Sequence, residues 1–199
     1  MQKVLRLYGY NLPNQQEQER QLSKPVFENN YTELIEFCKE YDAFQDMPFS
    51  QGLTYVAADA LFPNSKFILT ERDSNDWFNS MTSFHKKIFG IDGISQLTEN
   101  DILHKFTYLY PGYSHAHTSR LLTEFDGDQK VIRWDKLYDK KTYIEMYESR
   151  NIEIKRFFTN SPHKLLVIDI SKESDTSRIC EFLNIPLSHS IKMPHENKT

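Results

Sequence analysis

Glycine and cysteine are scarce in this chain of 199 residues, no long apolar run interrupts it, and neither sign of charge dominates. The six glycines are scattered, so no glycine-dense loop offers a row of backbone N–H groups to a phosphate. The two cysteines, Cys38 and Cys180, lie far apart and match no zinc or redox spacing. Both fall in apolar helical patterns, which marks them as reduced, inert packing residues. No apolar run approaches the ~20 residues of a membrane span. The opening MQKVLRLYGYN has no apolar core and no small-residue cleavage site, so it does not read as a signal peptide, and a cytoplasmic setting is expected. A net charge of −4 without a block of one sign argues against bulk attraction to nucleic acid or to a membrane surface. His115 and His117 have no neighbouring Asp or Cys to complete a ligand set. They read as a solvated turn, and no metal is expected.

The chain is 39% apolar and 14% aromatic, enough for a single domain over 1–199 that buries roughly 70% of its unfolded surface. Residues 2–8 read as a short helix stopped by Gly9, and the polar stretch 11–25 as a loop. Residues 31–41 carry Leu34, Ile35 and Cys38 at helical spacing, and DAFQDMPF (42–49) is a short strand candidate ending at Asp46 and Pro48. A helix over 52–62 precedes the apolar run 66–70, KFILT, which suits a strand buried on both faces. Ser74 or Asn75 is placed to cap the next helix, whose stripe is Trp77, Phe78, Met81, Phe84 and Ile88. Further on, a helix is expected over 99–109, a turn at PGYSHAH, a helix from Thr118, and a long helix over 139–159. A second buried strand follows at 165–170, LLVIDI, then a capped helix over 174–186. Strands of this kind alternating with helices predict an α/β fold, a parallel sheet with helices on both faces. Ligands of such sheets sit beyond the carboxyl ends of the strands. That would align Asp46, Arg72 with Asp73, and Asp169 to Lys172 along one rim.

Arg72 directly follows the first apolar strand, and Ser80 lies inside the next helix. A guanidinium grips a phosphate with two charge-assisted hydrogen bonds, a helix N-terminus favours the same anion, and a serine hydroxyl can add a third contact. An ordinary Arg–Asp surface pair beside a solvated serine would leave the same pattern. The segment LFPNSKFILTERDSNDWFNSM resembles the 3′-phosphate-binding segment of sulfotransferases that use 3′-phosphoadenosine 5′-phosphosulfate (PAPS). The family pattern R-D-P-x-x-W-x-x-S is met by Arg72, Asp73, Trp77 and Ser80, with Ser74 in place of the proline. FQDMPF (44–49) resembles the family's D-x-P segment, and the run from YESRNIEIKRFF to MPHENK resembles its C-terminal half. The resemblance covers about 3–10, 31–89 and 138–198.

The resemblance implies a three-layer, P-loop NTPase-like fold, with the helical stretch at about 90–137 facing the acceptor. It implies that Arg72 and Ser80 hold the 3′-phosphate of PAPS, with Trp77 and Arg150 as further cofactor-binding candidates and Asp46 as the acceptor-side catalytic carboxylate. Each has a plainer reading: Trp77 as core, Arg150 as a partner of Glu148 or Glu153, Asp46 as a turn residue before Pro48. Arg150 also departs from the family, which has histidine there. His195 and Lys198 are candidates to fold over the nucleotide. The family's N-terminal strand and glycine-rich 5′-phosphosulfate loop have no counterpart here, so an N-terminally truncated form with impaired turnover is expected. The expected function is sulfuryl transfer from PAPS to a hydroxyl or amine of a small molecule or glycan. The alternative is a non-catalytic nucleotide-binding or protein-interaction homologue, for which a homodimer through a bare sheet edge is one partner state.

Overall fold

The computed structural model describes residues 1–194. In chain order its elements are α1 (Gln2–Leu7), α2 (Gln15–Phe27), α3 (Thr32–Cys38), α4 (Thr54–Leu61), β1 (Phe67–Thr70), α5 (Ser74–Phe89), α6 (Glu99–His104), α7 (Tyr113–Leu121), β2 (Thr123–Asp126), β3 (Gln129–Ile132), α8 (Lys140–Phe157), β4 (Leu165–Ile168) and α9 (Ser177–Leu183). The chain divides into two compact units, one of residues 1–72 with 153–199, the other of residues 73–152.

In the first unit β1 and β4 form a parallel pair in the register Phe67↔Leu165 to Thr70↔Ile168. Side chains alternate across such a ribbon. Ile68, Leu166 and Ile168 pack with Val4 of α1, Ile179 of α9 and Met193. Phe67, Leu69 and Leu165 pack with Tyr55 of α4, Ile154 and Phe158. The continuous apolar runs thus reflect two covered faces, although most strand residues keep some exposure. The sheet is smaller than expected: among the described residues two strands pair in parallel, where the sequence suggested a sheet of several. A further cluster of Leu22, Val26, Leu34 and Phe37 joins α2 to α3. Gly9, at φ +85, supplies the left-handed turn after α1.

Two segments of this unit depart from expectation. Residues 15–27 are a helix rather than a loop, because Asn14 caps the N–H of Glu17 and the inward face carries Gln18, Glu19, Leu22, Ser23 and Val26. Three of those five residues are polar, which hides the face from a hydrophobic count. Residues 42–49 are not a strand but a turn, with Asp46 at φ +59. The Gln18 amide donates to the carbonyls of Gln45 and Met47 at 2.7 and 2.6 Å, so a side chain takes the place of a sheet neighbour.

The second unit is built around Phe78 of α5, Leu122 and Tyr143 of α8, with Met81, Ile132 and Trp134 against them. Asp73 caps α5, in place of Ser74 or Asn75, and the helix leaves Phe84 and Ile88 exposed. α6 ends at His104, and α7 starts at Tyr113 rather than at Thr118, so PGYSHAH is mostly helix. The stretch 90–137 is not purely helical, since β2 and β3 form an antiparallel hairpin from Thr123↔Ile132 to Asp126↔Gln129. Gly127, at φ +59, provides its turn.

Candidate functional site

Because β1 and β4 run parallel, their carboxyl ends coincide. The ladder continues one step past β1, where the Glu71 N–H donates to the Ile168 carbonyl at 2.9 Å. Arg72 comes next, on an exposed loop. Lys155 meets Glu71 at 2.9 Å. Beyond β4, Asp169 accepts from the Ser171 N–H at 3.0 Å and hydroxyl at 2.6 Å, and pairs with Lys172 at 2.9 Å. Partial burial works against its ionised form, but these donors outweigh it and hold the carboxyl below the usual aspartate range. The segments after β1 and β4 leave from the same end of the strand pair. Asp46 does not belong to the expected rim as a strand-end residue, since it lies in a turn that no strand precedes.

The second unit begins at the next residue. The Asp73 carboxylate accepts from the N–H groups of Asn75 and Asp76 at 2.9 and 3.1 Å. The anion expected at this helix start is therefore built into the chain, and an incoming phosphate finds those two donors engaged. Ser74 Oγ donates to Glu148 of α8 at 2.5 Å. Trp77 lies flat on Tyr147, with ring centroids 4.4 Å apart and planes 12° apart, so one of its faces is covered by protein. Ser80 is half-buried, not quite two turns into α5. Arg150 is half-buried, three residues beyond Tyr147 on α8, beside the buried Asn151. The helix pair thus brings Trp77 to the neighbourhood of Tyr147 and Glu148. His195 and Lys198 lie outside the described residues.

The turn at Asp46 holds groups that the sequence reading passed over. Gln15 donates to Asp46 Oδ2 at 3.1 Å and to Glu19 Oε1 at 2.9 Å, and accepts from Gln45 at 3.0 Å. Burial, together with the nearby Asp46 charge, raises Glu19 above the ordinary glutamate value, against the opposing hydrogen bond from Gln15. The available signal was Asn14 followed three residues later by Glu17, a helix-start pattern inside a segment too polar to draw attention.

The His115–His117 pair is not a solvated turn. His115 stacks on Trp134 and meets Glu99 at 3.0 Å. His117 stacks on Tyr113 at 5.3 Å between centroids. Burial drives its imidazole down to about 4, with the charges of His85 and Arg120 adding to the shift. His85 lies against the Tyr138 hydroxyl at 2.9 Å and is also depressed by burial. Among the described residues no group of three His, Cys, Asp or Glu side chains is arranged to hold a metal ion. Cys38 is half-buried, which pushes its thiol up to about 12, and Cys180 donates to the Tyr8 hydroxyl at 3.1 Å. No described helix is long and apolar enough to cross a membrane.

A family model described as a sulfotransferase domain matches residues 7–199. No curated protein matches the chain.

Proposed function

The chain belongs to the sulfotransferase domain family, and from that membership we propose that it binds PAPS and moves its sulfuryl group to a hydroxyl or amine of a small molecule or glycan. In this reading β1 and β4 belong to a P-loop-type sheet with helices on both faces. Arg72 and Ser80 contact the 3′-phosphate, Arg72 by the two-pronged geometry of a guanidinium on a phosphate. Trp77 lies on the adenine side, and Arg150 supplies a second positive charge. Asp46 takes the proton of the acceptor O–H or N–H as that atom bonds to sulfur. The bond from sulfur to the 5′-phosphate oxygen then breaks, and adenosine 3′,5′-bisphosphate leaves.

The observation that carries the reading is the junction at Arg72–Asp73. A parallel strand delivers an arginine at its carboxyl end, and the next residue opens a 16-residue helix. Because Asp73 already occupies the first helix N–H groups, affinity for the phosphate must come from side chains. This makes Arg72 the dominant contact. The 199 residues contain no glycine-rich loop for the 5′-phosphosulfate, so the chain taken alone is expected to turn over slowly.

Calorimetry with adenosine 3′,5′-bisphosphate tests this directly. The expected result is binding at about micromolar affinity, weakened roughly 10- to 100-fold by Arg72→Ala. A folded chain that binds no nucleotide would instead favour the non-catalytic interaction homologue. Magnesium-dependent preference for ATP would point to phosphoryl transfer.

A further inference from the structure

Gln15 is the hub of a polar cluster for which the phosphate reading has no use. Both hydrogens of its amide are engaged by carboxylates, Glu19 Oε1 at 2.9 Å and Asp46 Oδ2 at 3.1 Å, and its oxygen accepts from Gln45 at 3.0 Å. Only one orientation of the amide works, because turning it over would set its oxygen against two carboxylates. Gln18, on the same helix, holds the carbonyls of Gln45 and Met47 on either side of Asp46. Gln45 is itself fixed, its side-chain oxygen accepting from the Gln2 N–H at 2.9 Å. Asp46 is thus gripped by backbone and side chain although it is exposed and has a left-handed backbone at φ +59. Glu19 sits behind the same amide at 8% exposure. Facing it are the Gln15 amide from its own helix and the Asp46 carboxylate from the turn.

We propose that Gln15 and Glu19 are positioning residues for Asp46. Gln15 fixes Oδ2 and leaves Oδ1 to take the acceptor's proton, and Glu19 is a second carboxyl coupled to Asp46 through the shared amide. The inference rests on the reading of Asp46 as the acceptor-side base. The proton Asp46 accepts passes to solvent, to which its side chain is open. A merely structural turn would need neither an oriented carboxylate nor a buried acid behind it.

The test follows the Glu19 side-chain carboxyl by carbon NMR through an acid titration of the full chain. The Glu19 midpoint is expected to fall in Asp46→Asn, which removes a like charge, and to rise in Gln15→Leu, which removes a hydrogen bond to the ionised form. These shifts test the coupling of the two carboxyls, and turnover tests the positioning role. In parallel, release of adenosine 3′,5′-bisphosphate from radiolabelled PAPS is measured with a phenol, an N-acetylhexosamine and a primary alkylamine as acceptors. Gln15→Leu is expected to lower kcat about tenfold or more while leaving adenosine 3′,5′-bisphosphate affinity unchanged. A Glu19 midpoint unmoved in both variants overturns the coupled pair. Opposite shifts with full kcat in Gln15→Leu overturn the positioning role. Opposite shifts in a wild-type chain that turns over none of the acceptors overturn the sulfuryl-transfer reading and the catalytic part of this inference, and leave the coupled pair standing.

Discussion

Residues 1–72 with 153–199 bury amides and hydroxyls, among them Gln18, Ser23, Thr54 and Thr176, none above 2% exposed. Residues 73–152 surround their core with phenols and imidazoles: Tyr143 stacks on Tyr138, Tyr113 on His117, and His85 meets Tyr138. Glu19 apart, the first kind of polar group does not change charge with pH, and Gln18 and Thr176 are held by the chain's own donors and acceptors. The second contains histidines, His85 and His117, whose partial burial favours the neutral form. The two units therefore differ less in how much they bury than in what disturbs them. Hydrogen-bond deletions test the first, and protons test the second.

The largest expected effects come from the cores, where the units should behave alike. Ile179→Ala in the first unit and Leu122→Ala in the second remove side chains at 0% and 1% exposure. Each is expected to cost about 2–5 kcal/mol in urea unfolding, with lost amide protection concentrated in its own unit. A cost below about 1 kcal/mol for either would mean that its site collapses around the gap rather than holding a packed core.

Acid should separate the units. His117 lies near 4 in the folded chain against an ordinary value of 6.5, so the unfolded chain binds the extra proton first. Stability is full above the ordinary value, falls as pH drops through that window, and levels off below the folded value. The loss is on the order of 3 kcal/mol at most, and His85, shifted the same way, adds to it. Trp77 and Trp134 are the chain's two tryptophans and both belong to the second unit. Tryptophan fluorescence should therefore report this acid transition, and His117→Phe should move it to lower pH. An unchanged transition in that variant would remove the histidines as its cause.

The smallest effect sharpens the contrast from the other side. The Tyr8 hydroxyl joins Thr176 Oγ1 and accepts from Cys180, while Thr176 Oγ1 also accepts from the Ile191 N–H at 3.0 Å. This ties α1, α9 and the segment after α9 together. Tyr8→Phe is expected to cost about 1 kcal/mol, with the same cost at neutral and mildly acidic pH. A cost that grows as pH falls would put a titrating group in this network and blur the distinction.

Much of the framework was legible because it depends on short-range patterning. The runs KFILT and LLVIDI read as strands since apolar residues stand on both of their sides, and both faces are covered. The long helix over 139–159 and the helices at 31–41, 52–62 and 174–186 declared themselves by spacing and differ only at their ends. α2 was illegible because glutamines and a glutamate fill positions that are apolar in an ordinary amphipathic helix. The hairpin of β2 and β3 was missed because its strands are four residues each and mostly exposed, leaving only Asp126–Gly127 as a cue. At the candidate site the Arg72-to-Ser80 spacing was readable, whereas the cap was misassigned by one residue. Asp73 reaches the helix N–H groups from just outside the helix, which composition alone does not distinguish from Ser74.

Family membership, the two apolar strand segments and the arginine just before α5 are legible in the sequence itself, because each is written in residues that are neighbours along the chain. Tertiary structure alone decided that Gln15 stands between Glu19 and Asp46, that Asp73 fills the helix start, and that His117 stacks half-buried on Tyr113. Those outcomes depend on which side chains meet across tens of residues. Periodicity and propensity hold no record of such meetings, since a polar side chain looks the same in sequence whether its partner is water or another residue.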